Sequence, residues 1–210
     1  MKNLDEISER IHESFQARTA ARDKALAQAR TLTRCCAHSI RATHRLEKDV
    51  ARQHLDEANR LVESLRTDLA HYSDLYYAGY TRDAFKEYVE ANLVYALLHD
   101  GSLPTPEELG IEYATYLNGL AETVGELRRR CLDILRGGYS DEVEILLGYM
   151  DNIFGVLVTM DYPNAITSGL RRQTDIVRGI IERTRGDLTM SLRSERLERR
   201  LESLEKRLDD

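Results

Sequence analysis

Tryptophan is missing from the 210 residues, proline occurs three times and cysteine three times. Proline stands only at Pro104, Pro106 and Pro163, so two long stretches carry no obligatory helix breaker. Cys35 and Cys36 are adjacent and Cys131 is distant, which leaves no C-x-x-C pair and no disulfide framework. They read as small core residues of a reducing compartment. No apolar run approaches the roughly 18 residues of a membrane-crossing helix. The opening MKNLDEISER is charged where a secretory signal would be apolar, so the expected location is the cytoplasm, with no membrane partner. The nucleotide loops G-x-G-x-x-G and P-loop, the zinc-protease H-E-x-x-H and the esterase G-x-S-x-G are all absent. A ferritin-like di-iron site wants two E-x-x-H motifs on core helices, and the one present, Glu9 to His12, lies near the N-terminus.

What is present is helix-forming and charged. Hydrophobic residues make up 42% of the chain and charged residues 31%, enough for a buried core on a soluble surface. No alternating strand pattern interrupts the helical periodicity, which predicts an all-α chain with helices near 3–47, 50–78, 81–99, 107–136, 141–160, 163–187 and 190–208. Gly79, the Asp100-Gly101-Ser102 run and Gly137-Gly138 mark the breaks. The net charge of −6 argues at first against a nucleic-acid partner. Its distribution removes that objection. Residues 1–50 carry ten Lys/Arg against seven Asp/Glu, residues 51–126 carry five against 14, and residues 127–210 carry 15 of each.

At 100° per residue, Ala25, Ala29, Leu32, Cys36 and Ile40 fall on one edge of the first helix, while Arg30, Arg34, His38, Arg41 and Arg45 fall on the other. Such a basic stripe suits a phosphate backbone, where each arginine displaces condensed counterions. A solvated helix face would look the same. At the other end, Leu197, Leu201, Leu204 and Leu208 are spaced 4-3-4, the seam of a docking or self-association helix or of one folded back on its own bundle.

The acidic residues of the middle segment are more specific. Glu87 and Glu90 share a face that continues with Ala91, Val94, Leu97 and Leu98. Carboxylates heading an apolar face are costly to desolvate unless paired or metal-bound. In the next long helix, Tyr113, Leu117, Leu120, Val124, Leu127, Cys131 and Leu135 form the expected core face, with Glu122 and Glu126 opposite. Like charges four apart repel unless a cation or other partner compensates them. Four glutamates on two consecutive long helices are the donor set that hard cations such as Mg²⁺ or Mn²⁺ take, although solvated glutamate pairs are common.

The segments Tyr76-Tyr77-Ala78-Gly79-Tyr80 with the following DAFKEYVEA, then YLNGLAETVGELRRRC, and YPNAITSGLRRQTDIVRGIIERTRGDLT together resemble the translin family, and within it translin-associated factor X more than translin itself. The first helix, RDKALAQARTLTRCCAHSIRATHR, also fits, so the resemblance runs from about residue 22 to residue 189. It implies a seven-helix, single-domain all-α fold of the compact archaeal type over residues 22–189. Residues 1–21 would be an N-terminal helical extension and 190–210 a C-terminal Leu-seam helix. It further implies assembly into a hollow homo-oligomer, typically an octamer, holding single-stranded RNA or DNA, with a second translin-family subunit as a possible partner.

The factor X branch is a metal-dependent endoribonuclease. Glu87 and Glu90 match its E-x-x-E pair, Glu122 falls where that branch has Asp, and Glu126 matches the Glu of its G-E-L pattern. The resemblance therefore makes these four glutamates the metal ligands and catalytic residues for Mg²⁺ or Mn²⁺, with Arg30, Arg34, Arg41 and Arg45 contacting the nucleic-acid backbone. The alternative is a non-catalytic, translin-like binder of RNA or single-stranded DNA. A structural scaffold with merely solvated polar faces is the third.

Overall fold

A computed structural model describes residues 3–209. Among them every regular element is helical, as the periodicity predicts. The chain divides into two compact units, meeting at Ile111 and Glu112.

The first unit comprises α1 (Leu4–His44), α2 (Lys48–Asp68), the single turn α3 (Ser73–Tyr76), α4 (Gly79–Tyr95) continued by a π-helical turn (Ala96–Asp100), and the short α5 (Pro106–Leu109). Helix α1 packs against both α2 and α4. The predicted apolar edge of α1 is its core face: Ala25, Ala29, Leu32, Cys36 and Ile40 are all buried. Helix α2 adds the buried Ala51, Leu55, Ala58, Val62 and Leu65 to this core, and α4 the buried Ala84, Val89, Ala91 and Val94. Alanines at the contact allow close approach of the helix backbones. Polar bonds set the antiparallel register of α1 and α2: Lys24 to Asp68 at 2.7 Å, Gln28 to Ser64 at 2.8 Å, and Ser39 Oγ donating to the Ala51 carbonyl at 3.0 Å. Leu46 adopts φ +61° in the turn between them, where Glu47 N–H reaches back to the Ala42 carbonyl at 2.9 Å. The π-helical turn ends at Gly101, whose φ of +73° suits glycine and whose N–H bonds the Ala96 carbonyl at 2.7 Å. A capping box between Thr105 and Glu108 then starts α5 behind Pro106.

The second unit holds α6 (Tyr113–Leu135), α7 (Asp141–Thr159), the short α8 (Asn164–Thr167) and α9 (Leu170–Asp209). Leu120, Val124, Leu127 and Cys131 of α6 are buried as expected, against Leu146, Met150 and Ile153 of α7 and Leu170, Val177 and Ile181 of α9. Tyr113 departs from the expectation: it stands at the first position of α6 and is 68% exposed. Charged ties join the elements. Arg130 donates twice to Glu142 at 2.8 and 3.0 Å, Arg185 reaches both oxygens of Asp151, and Arg128 bonds Thr184 at 3.0 Å and Asp187 at 2.8 Å.

The expected break near residues 188–189 does not occur. Gly186 lies inside α9, no proline follows it, and Thr189 Oγ1 donates to the Arg185 carbonyl at 2.8 Å, so one helix runs through both expected segments. The expected second helix instead stops at Asp68, and the turn α3 follows. The Leu197, Leu201, Leu204 and Leu208 seam is exposed along the end of α9. No helix among the described residues is long and apolar enough to cross a membrane.

Candidate metal centre and basic helix face

Ala78, in extended conformation, begins α4, and the next turns place Ala84, Phe85, Tyr88 and Val89 in the core. That fixes the rotation of α4 and leaves Glu87 and Glu90 half-buried, one turn apart. Both bear on Cys36, fully buried on the core face of α1: burial pushes its thiol well above the ordinary range, and the charges of Glu87, Cys35 and Glu90 push it further. The acidic pair therefore works in a partly dehydrated setting, where carboxylate charge is strongly felt.

On α6, burial of Leu120, Val124 and Leu127 sets the rotation that leaves Glu122 and Glu126 half-buried. Glu126 pairs with Arg129 on the next turn at 3.4 Å. Glu87 and Glu90 each offer a carboxylate oxygen, and the two oxygens lie within 4.8 Å of one another. An octahedral Mg²⁺ with bonds of about 2.1 Å sets its ligand oxygens roughly 3–4.2 Å apart, so a small side-chain adjustment brings the pair to ligand spacing. An all-carboxylate donor set fits a hard cation such as Mg²⁺ or Mn²⁺ and offers nothing to a soft one.

The basic stripe also takes the predicted position. Arg30, Arg34 and Arg41 are exposed on α1 opposite its buried edge, and Arg45 continues the line as the residue capping the helix. Among the described residues none of the four has a carboxylate partner. Arg41 Nε donates to the Ala37 carbonyl of its own helix at 3.2 Å. His38, in the middle of the line, meets His54 of α2 edge to face with ring centroids 5.2 Å apart. Desolvation, then Arg41, His54 and Arg34, hold its imidazole below the ordinary range and hence neutral at pH 7. Arg171, by contrast, faces Asp161 at 3.9 Å.

Two features escaped the sequence. Cys36 beside the acidic pair depends on α1 packing against α4, which no spacing within either segment encodes. The His38 and His54 contact depends likewise on the α1–α2 register. Its only sequence signal is a histidine in each of two consecutive helices at positions that an antiparallel hairpin brings level.

No protein-family model matches the sequence. An uncharacterised protein of Methanocaldococcus jannaschii is 32% identical over 204 residues, 96% of this chain and 90% of its own length. The crystal structure of AfC3PO shares 31% identity at a TM-score of 0.79, covering 91% of this chain and 98% of that one. AfC3PO bound to duplex RNA shares 30% identity at a TM-score of 0.80, covering 91% and 97%. Apo-NeC3PO, at 21% identity and a TM-score of 0.81 over 91% and 98%, has the same fold.

Proposed function

The chain belongs to the translin and C3PO family, and from that premise we propose that it is a divalent-metal-dependent endoribonuclease acting on single-stranded RNA. One observation carries the proposal: Glu87 and Glu90, one turn apart on α4 and half-buried, present carboxylate oxygens within 4.8 Å of one another. Glu87 and Glu90 hold the cation, and Glu122 and Glu126 of α6 are the further ligands that the family resemblance supplies. A divalent ion held there supplies Lewis acidity, lowering the pKa of water and offsetting charge on a phosphodiester. The protein's own contribution is placement. Core packing of α4 and α6 fixes the rotation of each glutamate pair, and partial burial of the carboxylates keeps competing water few. Arg30, Arg34, Arg41 and Arg45 attract and orient the strand through its phosphates without reading bases.

In this proposal residues 22–189 form the catalytic body, and residues 1–21 and 190–210 are arms serving a hollow, octamer-like homo-oligomer, alone or with a second family subunit. RNA binding is supported by membership of a family that includes an RNA-bound structure. Cleavage rests on the glutamates. Labelled single-stranded RNA incubated with the purified chain and Mn²⁺ should be cut, chelation should stop the reaction, and Glu90→Gln should retain binding while losing cleavage. Binding without cleavage under Mg²⁺, Mn²⁺ and Ca²⁺ alike would make the protein a translin-like carrier.

A further inference from the structure

We propose that the cavity between α2, α4 and the loop after the π-helical turn is a pocket for a single nucleobase, carried by a nucleic-acid strand or by a free nucleotide. The cavity measures about 390 Å³, within the size range of small-ligand sites. Tyr88, Asn92 and Tyr95 line it from one face of α4, within about 60° of one another at 100° per residue. Asn59 of α2 lines it too, and Leu55, Leu103 and Leu109 supply apolar surface. The π-helical turn Ala96–Asp100 follows directly on Tyr95, and such turns concentrate at functional sites.

The polar groups of the wall are set by bonds among themselves. Tyr88, 3% exposed, donates through its hydroxyl to Asn59 Oδ1 at 3.1 Å. Burial, then the charges of Cys36 and Glu63, push that hydroxyl up to about 12, so it stays protonated and keeps donating. Asn92 Nδ2 donates to the Tyr88 carbonyl at 2.8 Å, which turns its amide one way. Asn59 Nδ2 is left as a donor and Asn92 Oδ1 as an acceptor, neither with a hydrogen-bond partner among the described residues. Tyr95 is only 5% exposed and its ring is held against His99 at 5.0 Å. Among the described residues its hydroxyl has no hydrogen-bond partner, nor is it sealed from solvent. Buried hydroxyls are normally bonded, and a ligand in the cavity would complete this one. A donor and an acceptor beside flat tyrosine rings match the edge of a base, where donor and acceptor stand side by side. Charge excludes the phosphate. The cationic lining residue, Arg52, is paired with Asp56 at 3.3 Å, and Glu108 adds negative charge, so a neutral base enters and its phosphate stays outside. Glu87 and Glu90 lie about 110–170° around α4 from this face, and base capture is therefore separable from the metal chemistry proposed above.

The full chain, with divalent ions chelated, is titrated calorimetrically with AMP, GMP, CMP and UMP, and its affinity for homo-oligonucleotides of adenosine, cytidine and uridine is measured by anisotropy. At least one monophosphate should bind at one site per chain with Kd below about 1 mM, and ribose 5-phosphate should neither bind nor compete. Tyr95→Phe, which removes only an unbonded hydroxyl, and Asn92→Ala should each weaken that binding about tenfold, with circular dichroism unchanged in Tyr95→Phe. Glu90→Gln should leave it intact, so that loss of cleavage and loss of base capture are read separately. A base arriving on a strand makes both variants lower affinity for the matching homo-oligonucleotide at an unchanged salt slope, whereas a free nucleotide as the source leaves strand affinity as it was. The proposal is overturned if no monophosphate binds and neither variant alters strand affinity, if ribose 5-phosphate competes, if Tyr95→Phe and Asn92→Ala bind like the parent, or if Glu90→Gln abolishes monophosphate binding.

Discussion

Replacing Arg30, Arg34, Arg41 and Arg45 together by glutamine tests the nucleic-acid face most directly. The four lie along about 22 Å of helix at 1.5 Å per residue, a length that spans roughly six phosphates at the 3.4 Å per-strand rise of a helical strand. If each arginine neutralises one phosphate, the four contribute about −2.8 to the slope of log affinity against log salt for a single strand. Between 50 and 200 mM salt that slope corresponds to roughly a 50-fold loss of affinity. The quadruple variant should lose that component and bind the same RNA with a much flatter salt dependence. Fluorescence anisotropy of a labelled RNA, with divalent ions chelated so that nothing is cut, gives the slope directly. The substitutions should leave the fold in place, because the side chains are exposed, have no carboxylate partner among the described residues and lie opposite the core edge. Each is expected to change stability by no more than about 0.5 kcal/mol. An unchanged slope in a normally folded variant would refute the assignment and return the stripe to a solvated face.

Three further outcomes follow from the packing. At pH 8 a thiol reagent should modify half-buried Cys35 first. Cys36 and Cys131 should react only on unfolding, because burial raises both thiols, that of Cys131 to about 11; simultaneous labelling of all three in native protein would contradict the core. Asp68→Asn should destabilise the first unit by about 1 kcal/mol at neutral pH, a figure discounted for partial exposure. The bonds from Lys24 and then Gln28 hold this carboxyl below its ordinary range, so its stabilisation is complete above the unfolded-chain value of about 3.9 and disappears as pH falls through the lowered folded value. Thermal melts of both proteins should converge in acid. Leu201→Asn with Leu204→Asn, on the exposed seam of α9, should reduce assembled mass in light scattering, and an unchanged mass would place the seam outside any subunit interface.

Helical periodicity reached far into this structure because its long helices are amphipathic on one clean edge. Ala25, Ala29, Leu32, Cys36 and Ile40 could be assigned to the core from angle alone, and the arginines opposite them to solvent. The same criterion misplaced Tyr113, since a residue on the first turn of a helix can point past the end of the core even when its angle is right. Interruptions were harder to read. The stop at Asp68 has neither proline nor glycine behind it, the turn at Leu46 puts a leucine at positive φ, and Gly186 fails to stop α9. Each is settled by tertiary packing, which overrides a local preference of about 1 kcal/mol. The glutamates stood out for a different reason: carboxylates on faces that are otherwise apolar are anomalies that a sequence can display. Their neighbour Cys36 was legible only as a core residue.

In the proposed function, helix α1 has the strand-binding arginines on one side and faces the acidic pair with the other, which separates binding from catalysis. Cys36 on the core side senses Glu87 and Glu90, while Arg30, Arg34, Arg41 and Arg45 lie at angles of roughly 120–180° from it on a helix about 10–12 Å across. Within the first unit the arginines are therefore on the far side of α1 from the acidic pair and cannot stabilise charge at a phosphate held by those carboxylates. Their contribution should be uniform between ground state and transition state. Arginine variants should accordingly raise KM with kcat unchanged, whereas Glu90→Gln should lower kcat and leave RNA affinity in place. Single-turnover cleavage at saturating RNA measures the first effect and anisotropy the second. A fall in saturating cleavage rate of tenfold or more on removing Arg34 or Arg41 alone would mean that the stripe reaches the reacting phosphate, which one chain's α1 does not permit, and would require a second subunit to bring its arginines to the glutamates of the first.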